Sequence, residues 1–315
     1  MKIHPASAMI LLPAIGAAVL WGLATADPSP VRWGADGHRM AARAAHGILP
    51  ADMPAFFREA RLQLEYLSPE PDRWRNEGLT EMDEAWKYDH YIDLENVPAG
   101  ALDASDRFEF FTALLEAGIE RPQQTVGFLP FRILELYQRL ATTFARWRMS
   151  PAGSDRDWIQ ARILDDAGIM GHFALDAAQP QHTTIHFNGW AGGAPNPSGF
   201  STDRGFHSRF ESGFVSAHLT VEELAPLMAP SPRELEDARE AIWRHIRSTH
   251  ARVERLYELE RDYGFEVEAA AHPDSRAFVL ERLAAGAEMV AALWWTAWLE
   301  SEGIAAELRK GGGER

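Results

Sequence analysis

The chain of 315 residues contains no cysteine. That absence excludes disulfides, thiolate metal sites, a cysteine nucleophile and any lipid anchor attached through sulfur. A metal site here has to be built from histidine and carboxylate, and 12 histidines with 46 acidic residues supply the material. Basic residues are the scarcer charge, 31 against 46, which leaves a formal charge of -15. Such a balance argues against a broad nucleic-acid-binding face. It does not exclude a small cationic site, because bound metal ions invert the local field. Alternating strands in hairpin pairs, a βαβ rhythm and internal repeats are all missing from the pattern. Past the N-terminal stretch, residues 284–299 are the most apolar, but Glu288 interrupts them, and Trp294, Trp295 and Trp298 suit a core better than a membrane span.

The N-terminal stretch reads as an export signal. Lys2 gives a basic start, an apolar run covers residues 8–23, and Ala24-Thr25-Ala26 forms a small-residue cleavage site. We therefore expect a signal peptide over 1–26, a short propeptide or linker over 27–32, one helical domain over 33–310 and a flexible tail over 311–315. The expected location is periplasmic or secreted.

What remains has ordinary globular composition, 46% hydrophobic and 24% charged, and it reads as helices joined by Pro/Gly loops. Apolar residues recur at helical spacing over 54–67, 105–117 and 129–147. Ser154 and Asp155 can cap a helix that Pro180 stops. Ser231-Pro232-Arg233-Glu234 has the form of a capping box with proline at the first helical position, predicting a helix that runs to Tyr263 and ends at Gly264. Asp274 can cap a last long helix ending near Gly303. The expected fold class is all-α, a single-domain multi-helix bundle. Residues 189–205, rich in Gly, Pro, Ser and Asn, read as a functional surface loop.

The histidines carry the chemical information. His172 and Asp176 stand four apart on a predicted helix, so both side chains face one way and can share a metal. His182 follows just past the helix end. Alone, such a pair is a weak signal, since it more commonly forms a surface hydrogen bond. A second pair, His207 and Glu211, lies beside a helical stripe of Phe206, Phe210 and Phe214. His90 lies in Asp89-His-Tyr-Ile-Asp93, and Trp33-Gly-Ala-Asp-Gly-His38 opens the mature region.

Taken in order, these four elements resemble the superfamily of zinc-dependent phospholipases C and fungal single-strand-specific nucleases. Trp33 with His38 resembles the mature start of that family, where the terminal tryptophan chelates zinc through its own backbone. The run from Gly171 to His182 is similar to its central signature, and His207 with Glu211 to its final pair. The resemblance spans residues 33–211. It implies an all-α fold and three zinc ions: one on Asp72, His90, His172 and Asp176, a second on His182, His207 and Glu211, and a third on Trp33, His38 and a bridging Asp176. Asp83 and Asp89 are rivals to Asp72 but stand closer to His90 in sequence. The resemblance also implies hydrolysis of a phosphodiester by zinc-activated water, with Asp72 and Arg75 as catalytic residues and Arg75 on the phosphate.

Two departures matter. The cleavage signal falls six residues before Trp33, so a chelating Trp33 requires a second cut after Arg32. Glu211 stands where the phospholipases have glutamate and the nucleases aspartate, whereas Arg75 resembles a nuclease phosphate clamp. On this reading phospholipid head groups are the favoured substrate, with peripheral membrane contact, and single-stranded DNA, RNA or nucleotides are the alternative. A non-catalytic zinc-binding envelope protein is a third reading. Tyr91 and Trp190 are candidate substrate walls. His186 lacks helical context for ligation, and His46, His218, His245, His250 and His272 are expected to be surface or capping groups.

Overall fold

The computed structural model describes residues 34–191 and 195–312. Residues 1–33, which hold the expected export signal, its cleavage sites and Trp33, lie outside the described residues, as do 192–194 and 313–315. The described residues form helices with no strand, and the one ladder contact is an isolated bridge between Phe187 and Gly189. No helix among them is long and apolar enough to cross a membrane.

Among the described residues, nine helices of seven or more residues carry the architecture: α1 (Ala35–Gly47), α2 (Arg61–Leu67), α3 (Thr80–Trp86), α4 (Arg107–Glu116), α5 (Leu129–Met149), α6 (Ser154–Asp176), α7 (Ala238–His250), α8 (Val253–Asp262) and α9 (Pro273–Gly312). The long helices α5, α6 and α9 pack against one another, and α1 and α2 close over α6 and α9. From Ile163 to Asp176, nearly every residue of α6 is buried, so its C-terminal half runs through the middle of the core. Trp294 of α9 is fully buried there and donates its indole N–H to the Ala167 carbonyl at 3.0 Å. Gly168 lets α2 approach closely, since a Cβ there would lie 2.4 Å from that of Leu67. A buried helix end is thereby held rigidly on several sides, which is what a pre-formed site requires.

Several boundaries differ from the sequence expectation. The segment 54–67 is broken at Glu59 and Ala60 into a single turn, Ala55–Arg58, and α2. The Ser231–Glu234 capping signal starts no helix. The amide of Leu235 donates to Thr296 Oγ1 of α9 instead, and α7 begins after Asp237, whose side chain accepts from the Glu240 amide. The expected helix to Tyr263 is two, α7 and α8, divided at Ala251 and Arg252. Gly264, with φ +73°, does end α8. Ser154 and Asp155 sit inside the first turn of α6, after Gly153, rather than capping it. Likewise Asp274 lies in the first turn of α9, which passes Gly303 and continues two residues into the expected tail. These are tertiary overrides of local signals.

Candidate metal centre

Eight of the side chains singled out in the sequence, drawn from residues far apart in the chain, converge at the buried end of α6 and form three clusters. His38, His172 and Asp176 make one, Asp72, His90 and His172 a second, and His182, His207 and Glu211 a third. His38 comes from the first turn of α1, and Asp72 from the short turn Glu70–Arg73. His90 follows the 3₁₀ turn Lys87–Asp89, and His182 ends another, Pro180–His182. His207 and Glu211 belong to a segment that is α-helical only at its ends. Residues Arg209–Phe214 form a π-helix, not the continuous α-helix that the phenylalanine spacing implied. Such wide turns recur at functional sites. Phe206, Phe210 and Phe214 are all fully buried behind it.

Asp176 is the hub. Its carboxylate lies 2.9 Å from His90 Nδ1, 3.2 Å from His182 Nδ1, 3.3 Å from His172 Nε2 and 3.7 Å from His38 Nε2. Asp72 Oδ1 stands 3.7 Å from His172 Nε2 and 3.9 Å from His90 Nδ1. In the third cluster, His207 Nε2 is 3.1 Å and His182 Nε2 3.5 Å from Glu211 Oε2, and the two nitrogens are 3.2 Å apart. An ion with bonds of ~2.0–2.1 Å to nitrogen in a tetrahedral shell holds its ligand atoms ~3.3 Å apart. The observed spacings bracket that value.

Two imidazoles have their tautomer fixed by backbone. His172 Nδ1–H donates to the Ser68 carbonyl at 2.9 Å, and His207 Nδ1–H donates to the Phe187 carbonyl at 3.1 Å. Each Nε2 is thus left as a lone-pair donor aimed into its cluster, the arrangement metal-ligating histidines require. His38 is fully buried and stacked on His172 with ring centroids 4.0 Å apart, yet neither of its ring nitrogens has a hydrogen-bond partner. Leaving such polar atoms buried and unsatisfied costs on the order of 1–3 kcal/mol each. A metal at Nε2 removes that cost for the nitrogen facing the cluster, so the residues present fit a bound divalent ion.

The electrostatics agree. Burial, then the nearby His172, holds the His38 pKa well below its ordinary value, so the ring is neutral and able to ligate. Burial opposes ionisation of Asp176, but His172 and His182 beside it pull its carboxyl well below the usual range. Burial pushes Glu211 up to about 7, and a cation in its cluster would reverse this. Gln179 supports the cluster by donating to Glu211 Oε2 at 3.2 Å.

Gly34, the first described residue, meets the same place. The amide of Gly34 donates to the Glu211 carbonyl at 3.2 Å, and a side chain at 34 would collide with Ser212. Trp33 itself lies outside the described residues.

A cleft of about 460 Å³ opens beside His182 and His207, lined further by Arg75, Lys87, Tyr88, Tyr91, Asp93, Gln124, Gln181 and Phe187. Arg75 and Tyr91 thus both line the cleft, and Tyr91 donates its hydroxyl to the Gln124 carbonyl at 2.8 Å. Trp190 does not. It stacks on His186 at 3.8 Å, packs against Phe200 and Tyr257, and donates to the Pro195 carbonyl, so it braces the loop instead. The rivals to Asp72 are engaged elsewhere: Asp83 with Lys87, Asp89 with Arg107 and Arg132. His186 is in none of the three clusters and accepts from the Ala191 amide through Nδ1. His46, His218 and His250 bond backbone carbonyls, and His272 stacks on Tyr263. His245 is half-buried and lines a small cavity with Ile48, Pro232 and Met289. Its Nε2 is enclosed without a hydrogen-bond partner, and burial, then Arg282 and Arg233, pushes its pKa down to about 3. Sequence reading missed Lys87, Tyr88 and Phe187 in the cleft wall. Only the neighbourhood of Lys87 and Tyr88 to His90 pointed that way, and nothing marked Phe187.

No protein-family model matches the chain, and no curated protein matches it in sequence.

Proposed function

We propose that this protein is a divalent-metal-dependent phosphodiester hydrolase, with zinc as its ion and single-stranded nucleic acid or nucleotides as its substrate. The observation that carries the reading is the convergence of seven buried ligating side chains, including a His38 ring with no hydrogen bond, beside a cleft that contains an arginine. Bound in the clusters, metal ions would supply Lewis-acid charge on a phosphate and a water of lowered pKa.

The remaining roles fall to the chain's own residues. Arg75 offers a planar pair of N–H groups that matches two phosphate oxygens. Asp72 keeps 24% side-chain exposure where Asp176 and Glu211 are fully buried, which makes it our candidate acceptor for the proton of an attacking water. Tyr88, Tyr91 and Phe187 offer faces on which a base or other flat ring can lie. A site assembled from histidine and carboxylate needs no protein nucleophile.

Glu211 favours phospholipid head groups, and we retain that as the second reading. Recognition of a quaternary ammonium calls for an aromatic cage free of competing cations, whereas Arg75 and Lys87 both enter this cleft. That specific feature moves our preference to nucleotides.

Zinc-loaded protein incubated separately with single-stranded DNA, RNA and phosphatidylcholine vesicles tests the proposal. We expect cleavage of the nucleic acids that stops on chelation and returns with zinc. Cleavage of phosphatidylcholine alone would transfer the assignment to the lipid reading. No cleavage of any of the three by protein with all its metal sites filled would refute hydrolysis and leave a metal-binding protein.

A further inference from the structure

His90 differs from its partner ligands in how it is held. His172 and Asp176 are fixed by the hydrogen-bond ladder of α6, but His90 lies in an irregular stretch between two 3₁₀ turns, Lys87–Asp89 and Leu94–Asn96. Backbone bonds fasten that stretch at several points: Phe128 donates to Tyr88, Leu129 to Tyr91, and Ile92 to the His182 carbonyl, at 2.8, 3.2 and 2.9 Å. Gly127 allows the close approach. Its φ is +85°, and a Cβ there would lie 2.2 Å from the Tyr91 carbonyl oxygen.

The residue before His90 is the most tightly gripped of all. Asp89 has a side chain 1% exposed, and its carboxylate belongs to none of the ligand clusters. Arg107 of α4 donates to Oδ1 at 2.6 Å, and Arg132 of α5 donates to Oδ2 through Nε at 2.6 Å and Nη2 at 2.5 Å. Both guanidiniums also bond Glu135, at 2.9–3.0 Å, and that of Arg132 lies 4.3 Å over the Trp86 ring. Two positive and two negative charges thus form a closed, neutral set that ties α4 and α5 to the peptide bearing His90. A buried carboxylate with two guanidiniums is costly to assemble and gains little for overall stability over an apolar equivalent. Its geometric effect is specific: it fixes the backbone one residue away from a ligand on a segment with no ladder of its own.

We infer that Asp89, with Arg107 and Arg132, is a positioning clamp that sets His90 for metal binding. The inference rests on reading the clusters as a metal centre. Loss of partners one step behind a metal ligand lowers affinity by ~10–100-fold, and here the loss falls on one cluster. A general loosening of the fold would weaken the His90 cluster and the His182/His207/Glu211 cluster together.

The test is zinc and cobalt titration of the chelator-stripped full chain, with occupancy read by equilibrium dialysis and the cobalt visible spectrum, alongside helical circular dichroism. Glu211→Gln and His90→Gln variants assign each binding phase to its cluster. Asp89→Asn is expected to keep its helical signal, to lose ~10–100-fold in affinity at the His90 cluster, and to leave the Glu211 cluster unchanged. Arg132→Lys keeps the charge and loses the fork, and is expected to move in the same direction by less. Folded Asp89→Asn with wild-type affinity at the His90 cluster overturns the clamp, and so does an equal loss at both clusters. If Asp89→Asn does not fold, Arg132→Lys decides: a selective loss upholds the clamp and none overturns it. A wild-type chain that binds neither metal refutes the metal-centre reading itself, which is a distinguishable failure.

Discussion

Asp176→Asn strikes the centre where most of the ligands meet. The side chain is fully buried, and four histidines place a ring nitrogen within 3.7 Å of its carboxylate. Asparagine keeps the volume, so packing is nearly conserved, but the charge and one lone-pair oxygen are lost. Binding to the folded state alone stabilises by RT ln(1 + [L]/Kd), which is ~2.7 kcal/mol per site at a free zinc concentration 100 times Kd. For a domain of this size each kcal/mol is worth ~2–4 °C in Tm. Each occupied site should therefore raise the Tm of the stripped wild-type chain by ~5–10 °C. The variant is expected to lose the increments of the clusters that share Asp176 and to keep at most that of His182, His207 and Glu211. Thermal scans by circular dichroism with and without zinc, paired with metal counting by equilibrium dialysis, read both quantities. An Asp176→Asn protein with wild-type stoichiometry and the full thermal shift would refute the assignment of this carboxylate as the shared ligand.

Three further outcomes can be checked independently. Arg75→Ala should lower kcat for phosphodiester cleavage by roughly 10²–10³ with metal content unchanged, and Arg75→Lys should recover little of it because the planar fork is lost; unchanged kinetics would remove Arg75 from the site. His245 is held neutral by burial and by Arg282 and Arg233, with its pKa at about 3 against ~6.5 in an unfolded chain. Its stabilising contribution is complete above pH ~6.5 and is lost as pH falls toward 3, at up to ~1.4 kcal/mol per pH unit. Denaturant titrations between pH 7 and 4 should show a shallower loss of stability for His245→Gln than for wild type, and parallel curves would contradict the burial argument. Gly168→Val would force a side chain into Leu67 and should cost ~1–3 kcal/mol by overpacking; a neutral result by the same titrations would show that α2 and α6 are not held at that spacing.

The all-helical character of the described residues was legible because the apolar period of 3.6 is long and unbroken in α5 and no alternating strand pattern competes with it. Boundaries were less so. At 231–237 a strong capping signal lost to the contact of Leu235 with Thr296, 61 residues away, which no local rule registers. The π-helix that carries Glu211 was likewise invisible, since four-residue spacing of phenylalanines reads the same in either helix.

By itself, the sequence determined the chemistry available: with no cysteine, any metal has to be met by histidine and carboxylate. Four-residue spacing also singled out His172 with Asp176 and His207 with Glu211, whereas the ligand roles of His38, Asp72 and His90 came only from the family resemblance. Only the tertiary structure decided which carboxylates join. Asp72 reaches His90 and His172, while Asp83 turns to Lys87 and Asp89 to two arginines. It also decided that Trp190 braces a loop and that Phe187 walls the cleft. The reason is physical. Spacing along one helix is fixed by backbone hydrogen bonds that every residue carries, whereas convergence of separate segments depends on which side chains fill the space between them.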